Sequence, residues 1–259
     1  MNQYIIICLF AFLLGLAIGS FMNVCIYRLP LGKSIIWPPS YCPKCEKRIK
    51  FYDNIPVLSY VILHGKCRYC KVPVSWQYPL VELITGVLSL ALFIRYGPTY
   101  QYFLYFLFAS VLITISFIDF HHKIIPDVLS LPSILIGLGV SFGLIDIKWS
   151  DSLIGIIAGG ASLYIVGFVY EFLTGREGLG GGDVKLLAMI GAWMGWRALP
   201  LIVLMASLAG TLAALIFLIY TKKGFRTRIP FGPFLSLGAV VYLFFGNELT
   251  RWYIGLIKY

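Results

Sequence analysis

Charge is scarce in this chain: 12% of its 259 residues are Asp, Glu, Lys or Arg, and only 11 of them are acidic. With 59% hydrophobic residues and a mean hydropathy of +0.87, there is too little polar surface to cover a soluble globule of this size. No basic residue precedes the first apolar run, which is longer than the core of a cleavable signal peptide, so the first helix is expected to stay attached. Alternating ten-residue segments are missing too, which argues against a membrane β-barrel. No internal repeat and no low-complexity segment is found.

What is present are long uncharged runs. Tyr4–Tyr27, Tyr96–Ile118, Val128–Ile145, Ser152–Tyr170, Ala198–Tyr220 and Ile229–Asn247 each approach the roughly 20 residues that a helix needs to cross about 30 Å of hydrocarbon. Val72–Ile94 joins them with Glu82 as its one acidic residue, and Leu186–Trp196 makes a shorter one. The expected fold is therefore an all-α polytopic membrane protein of about eight transmembrane helices. Its parts are expected to be a first helix over 1–27, a loop-rich module over 28–77 and a membrane domain over 78–259.

Lys and Arg report orientation, because short basic loops stay in the cytoplasm. If 28–77 is cytoplasmic, then 119–127, 171–185 and 221–228 are as well, and that side collects 16 of the 21 basic residues. The net charge of +10 thus reads as topology and not as nucleic-acid binding. The chain is expected to span a membrane, with lipid as its surroundings.

The 28–77 module contains Pro30, Pro38, Pro39, Pro43, Pro56 and Pro73, which disfavour helix. Four of the six cysteines lie in it, as Cys42-Pro-Lys-Cys45 and Cys67-Arg-Tyr-Cys70. Two C-x-x-C knuckles at this spacing suit four thiolates around one structural Zn2+, which would supply the folding energy that so small a core lacks. Two disulfides, or reduced thiols without a ligand, are the other readings, and a cytoplasmic location speaks against the disulfides. Cys8 and Cys25 lie in the first apolar run and read as small buried hydrophobes.

Acidic groups beside apolar helices are costly and mark polar cavities. Asp119 closes one apolar run, and Asp183 follows Gly178-Leu179-Gly180-Gly181-Gly182 and opens a helical segment. Two carboxyls sharing one proton can activate water and polarise a peptide carbonyl without a metal. Capping or solvent-facing roles are equally consistent with the residues alone. Helix-end dipoles would leave the shared proton on Asp119 and make Asp183 the base. Asp127, after Pro126, reads as a structural cap. Glu82 reads as a functional residue or the partner of a basic one. The glycine run is not a phosphate loop, because no Gly-Lys-Ser/Thr follows.

These residues occur in an ordered set: Gly19-Ser20-Phe21-Met22-Asn23-Val24 to Arg28-Leu29-Pro30, the knuckles around Asn54-Ile55-Pro56-Val57-Leu58-Ser59-Tyr60, then Tyr78-Pro79-Leu80-Val81-Glu82. Asp119 with Ile125-Pro126-Asp127 and Gly180-Gly181-Gly182-Asp183-Val184-Lys185 complete it. The set resembles the prepilin leader peptidase and N-methyltransferase family, of the GxGD intramembrane aspartyl protease class. The resemblance implies a catalytic pair of Asp119 and Asp183 and no cofactor for proteolysis. It implies prepilin or pseudopilin substrates of type IV pili or type II secretion, cut after a glycine on the cytoplasmic side. It further implies methylation of the new N-terminus with S-adenosylmethionine as methyl donor, with Gly65 and Glu82 as participants.

Two rival classes remain at the level of sequence. A proton-coupled transporter would use Asp119 and Asp183 as a relay, and a non-enzymatic secretion subunit would use the cysteine module for docking. Neither the particular pilin nor an oligomeric state is fixed by the residues.

Overall fold

The computed structural model describes residues 2–175, 180–221 and 230–257. Arg176, Lys222, Lys223, Arg226, Arg228 and Lys258 of the charge count, and Gly178 and Leu179 of the glycine run, lie outside the described residues.

Among the described residues there is no strand, and the helices in order are α1 (Asn2–Arg28), α2 (Leu58–Ile62), α3 (Gln77–Tyr96), α4 (Tyr100–His122), α5 (Asp127–Val140), α6 (Trp149–Thr174), α7 (Gly181–Met194), α8 (Leu199–Thr221) and α9 (Gly232–Ile257). Six of them, α1, α3, α4, α6, α8 and α9, are long and apolar enough to cross a membrane. α5 and α7 have 14 residues each, about 21 Å at 1.5 Å per residue, which is short of a full crossing. The expectation of an all-helical multi-pass protein holds, with two of its eight helices at reduced length.

The chain forms two compact units, residues 1–114 and 115–259, with the boundary inside α4. In the first unit α1 packs along α3. A Cβ at Gly15 would lie 2.6 Å from Ser89 Cβ, and one at Gly19 would lie 2.7 Å from Glu82 Cα. These two glycines, four residues apart, let the main chains touch where lipid offers no hydrophobic drive for association. The facing stripe of α3 is buried and polar, with Glu82, Thr85 and Ser89. Ser89 Oγ donates to the Ala11 carbonyl at 2.7 Å and lies 2.8 Å from the Tyr102 hydroxyl of α4. α3, grouped from the sequence with the membrane domain after residue 77, thus packs with α1.

In the second unit α7 is central: every residue from Leu186 to Met194 is buried. α6 meets it through Gly155 and Gly159, where an added Cβ would strike the backbone carbonyls of Gly191 and Leu187. Across α5, the Trp193 indole N–H donates to the Ser133 carbonyl at 2.9 Å and lies 3.1 Å from its hydroxyl. A Cβ at Gly137 would lie 2.7 Å from Trp193 Cδ1, so the indole packs where a side chain is missing. α8 and α9 pair with each other and α9 also reaches α7.

Candidate active site

Asp119 sits in the last turn of α4 and Asp183 in the first turn of α7. Asp119 is buried and Asp183 half-buried, and the charge of Asp119 acts on Asp183. The second unit therefore brings together two acids that lie 64 positions apart in the chain. Asp119 Oδ2 accepts the Gly232 backbone N–H at 3.0 Å. This donor stabilises the ionised form of Asp119 and so opposes the helix-end dipole that would leave the shared proton on it.

Two glycines make room here. A Cβ at Gly232 would sit 2.6 Å from Asp119 Oδ2, and one at Gly182 would sit 3.0 Å from the Ile125 Cβ. Ile125 is itself buried, and its Cδ1 would lie 3.4 Å from a Gly232 Cβ. It wedges between the glycine before Asp183 and the glycine that donates to Asp119. Asp127 is not an N-cap: Pro126 holds that position without a side-chain bond. Asp127 instead pairs with Lys185 at 2.6 Å on an exposed edge.

In the first unit the four cysteines of the module converge. One sulfur from each of Cys42, Cys45, Cys67 and Cys70 lies within 4.8 Å of the others, and the sulfurs of Cys42 and Cys70 are 3.7 Å apart. A tetrahedron with metal–sulfur bonds of about 2.3 Å has edges of about 3.8 Å, so the set suits one tetrahedral metal ion. The two knuckles share a backbone plan. Cys42 N–H donates to the Lys47 carbonyl and Glu46 N–H returns to Cys42; Cys67 N–H donates to Val72 and Lys71 N–H returns to Cys67. Glu46 and Lys71 take the same positive φ, 55° and 57°. The Cys70 and then the Tyr69 backbone amides pull the Cys67 thiol down to about 7.

Beside the knuckles lies a cavity of about 450 Å³, with Asn23, Arg28, Tyr41, Tyr60 and Glu82 among its lining residues. The volume is in the range of small-molecule sites. Glu82 is buried, with no basic partner among the described residues: its Oε2 accepts the Val57 N–H at 2.7 Å, and the Ser20 hydroxyl also bonds to it. Val57 opens α2 at a φ of 60°, strained for a β-branched residue. Glu82 thereby ties the module's one helix to α3. Gly65 is not in the cavity wall. It occupies the turn after α2 at a φ of 66°, and a Cβ there would lie 3.0 Å from the Tyr60 ring.

A model of the bacterial peptidase A24 N-terminal domain matches residues 13–96, and that of the type IV leader peptidase family matches residues 106–225. The prepilin leader peptidase/N-methyltransferase of Pseudomonas aeruginosa is 40% identical, covering 93% of this chain and 91% of that protein. The chain belongs to the type IV leader peptidase family. Its counterpart in Aeromonas hydrophila is 37% identical over 94% of this chain and 92% of its own length, and that of Stutzerimonas stutzeri 38% identical over 94% and 92%. No solved structure matches.

As a member of the leader peptidase family the chain is a protease, and its N-terminal match carries the tetra-Cys module and the cavity. The match to the peptidase family itself carries Asp119 and Asp183. Gly232 lies beyond that match and was missed from sequence, because it acts through a main-chain amide and carries no side-chain signal. Asn23 and Arg28 stand in the ordered set of motifs, where the residues alone assign neither of them a role.

Proposed function

We propose that this chain is a multi-pass inner-membrane enzyme that removes the basic leader of a type IV prepilin or pseudopilin, after a glycine, at the cytoplasmic face. Asp119 and Asp183 form the catalytic dyad. What supports this is that Asp119 and Asp183 lie near enough for the charge of one to act on the other, while the Gly232 amide donates to Asp119 Oδ2. One carboxylate takes a proton from water as the oxygen attacks the scissile carbonyl carbon, and the protonated partner gives its proton to the carbonyl oxygen. Collapse of the tetrahedral intermediate breaks the C–N bond, and the leaving nitrogen takes a proton back from the dyad. The cytoplasmic placement is supported by the basic loops on the side of Asp119 and Asp183.

The first unit would hold Zn2+ through Cys42, Cys45, Cys67 and Cys70, as a structural staple for a module with little core of its own. A buried acceptor in the cavity wall, Asn23 Oδ1, to which nothing donates among the described residues, supports a reading with S-adenosylmethionine. That group supplies an activated methyl for the amine exposed by cleavage. The chain's own part is to hold the amine with its lone pair free beside the bound methyl donor, and Glu82 takes part from the cavity wall. Gly65 supports it from outside the wall, by leaving space for the Tyr60 ring.

The test is leader cleavage of a model prepilin by purified enzyme in detergent, comparing the parent with Asp119→Asn and Asp183→Asn. Each substitution is expected to lower the rate by on the order of 10³-fold. Cleavage that survives either one removes the dyad from the mechanism.

A further inference from the structure

The cavity of the first unit has a feature that proteolysis leaves unused. Asn23 lies in its wall and is 4% exposed. Its Nδ2 donates to the Tyr78 carbonyl at 3.0 Å, which fixes the amide's orientation, because the flipped form would set oxygen against oxygen. Oδ1 is therefore an acceptor, and among the described residues nothing donates to it. Buried acceptors left unpaired are rare, and each calls for a water or a ligand.

Its neighbours narrow the ligand. Ser20, which bonds to Glu82, stands three residues before Asn23 on α1, and residues three apart share a helix face. Asn23 Oδ1 and the Glu82 carboxylate thus belong to one side of the cavity. The Val57 amide and the Ser20 hydroxyl use only part of the four or so hydrogen bonds that a carboxylate can accept. Arg28 also lines the cavity, is buried, and donates from Nη1 to the Ser34 carbonyl at 3.0 Å. No carboxylate pairs with it among the described residues. Two acceptors and a guanidinium are complementary to an ammonium and a carboxylate carried by one carbon.

We propose that Asn23, Glu82 and Arg28 bind the amino-acid end of S-adenosylmethionine, with Asn23 Oδ1 and Glu82 receiving the α-ammonium and Arg28 the α-carboxylate. The assignment rests on the methyl-transfer reading above. A cleaved pilin's N-terminus is the other source of an ammonium, but it brings no carboxylate on the same carbon and would leave Arg28 unmatched.

The full chain in detergent is titrated by calorimetry with S-adenosylhomocysteine, with methylthioadenosine, which lacks the amino-acid end, and with a short peptide bearing a free or an acetylated N-terminus. Asn23→Leu removes both the acceptor and the Tyr78 contact, whereas Asn23→Asp keeps the acceptor and loses the contact. The expected result is binding of S-adenosylhomocysteine at least tenfold tighter than methylthioadenosine by the parent. Asn23→Leu is expected to weaken S-adenosylhomocysteine about tenfold and leave methylthioadenosine unchanged, and Asn23→Asp, which keeps an oxygen for the ammonium, is expected to lose less than Asn23→Leu. Unchanged S-adenosylhomocysteine affinity in Asn23→Leu overturns the proposal. Equal losses in Leu and Asp variants also overturn it, since Asn23 would then serve only to hold Tyr78. A loss confined to the free-amine peptide would assign the site to the pilin. A parent that binds neither nucleoside overturns the methyl-transfer reading itself.

Discussion

Asp119 and Gly232 are 113 residues apart in the chain, yet the glycine amide donates to the Asp119 Oδ2 at 3.0 Å, and a methyl group on the glycine would come within 2.6 Å of that same oxygen. One contact both orients the acid and forbids a side chain opposite it. A catalytic carboxyl displaced by about 1 Å loses on the order of 100-fold in rate.

Gly232→Ala is therefore expected to reduce leader cleavage by about that factor, mainly in kcat, while the purified protein melts within a few degrees of the parent. Initial rates over a range of prepilin concentrations check it. A rate equal to the parent's would mean that Asp119 finds its place without the amide.

Lys185 pairs with Asp127 at 2.6 Å, but both side chains are well exposed. Exposed pairs contribute about 1 kcal/mol or less. A double-mutant cycle of Asp127→Asn and Lys185→Met, read by thermal unfolding, should give a coupling below that figure. Coupling of several kcal/mol would show the pair to be buried in the working enzyme.

Purified enzyme should carry about one equivalent of zinc, by the four-thiolate argument. Metal ligands must be deprotonated, and protons compete for them. Cys67, held near 7 by the Cys70 and then the Tyr69 amides, is expected to be half ionised at neutral pH without metal and to protonate below it. Cys70, where the Val72 amide is outweighed by desolvation and the neighbouring thiols, is pushed up to about 11. Protons therefore already compete for that ligand at neutral pH, and zinc retention against a chelator should fall steadily as the pH is lowered. Cys42→Ser should lose the metal and expose residues 41–74 to limited proteolysis.

Gly191 has no room for a methyl group, because a Cβ there would meet the Gly155 carbonyl of α6. Forcing atoms into such a contact typically costs 1–3 kcal/mol. Gly191→Ala should lower the melting temperature measurably and slow cleavage, since α7 carries Asp183. An unchanged melting curve would show that α6 and α7 separate more easily than their contact suggests.

The helices, the knuckles and the two aspartates were legible because each leaves a side-chain pattern: apolar length, thiol spacing, an acid at a run's end. What escaped was made of backbone. Gly232 lay inside an apolar run with nothing to distinguish it, and the pairing of Asp127 with Lys185 required knowing that α5 lies against α7. Where the run extends from Val128 to Ile145, α5 covers only the 14 residues Asp127–Val140, with Pro132 inside. Glu82 was singled out for the cost of its charge, but its partner proved to be a main-chain amide at Val57, which no pairing of charges could reveal.

Helices whose main chains rest directly on one another have no cushion of side chains over which to slide. With Gly155 pressed against Gly191, α6 and α7 behave as a single lever, and Asp183 rides on it. Any opening that admits a pilin segment must then swing this lever whole or move the ends of α4 and α9 that carry Asp119 and Gly232.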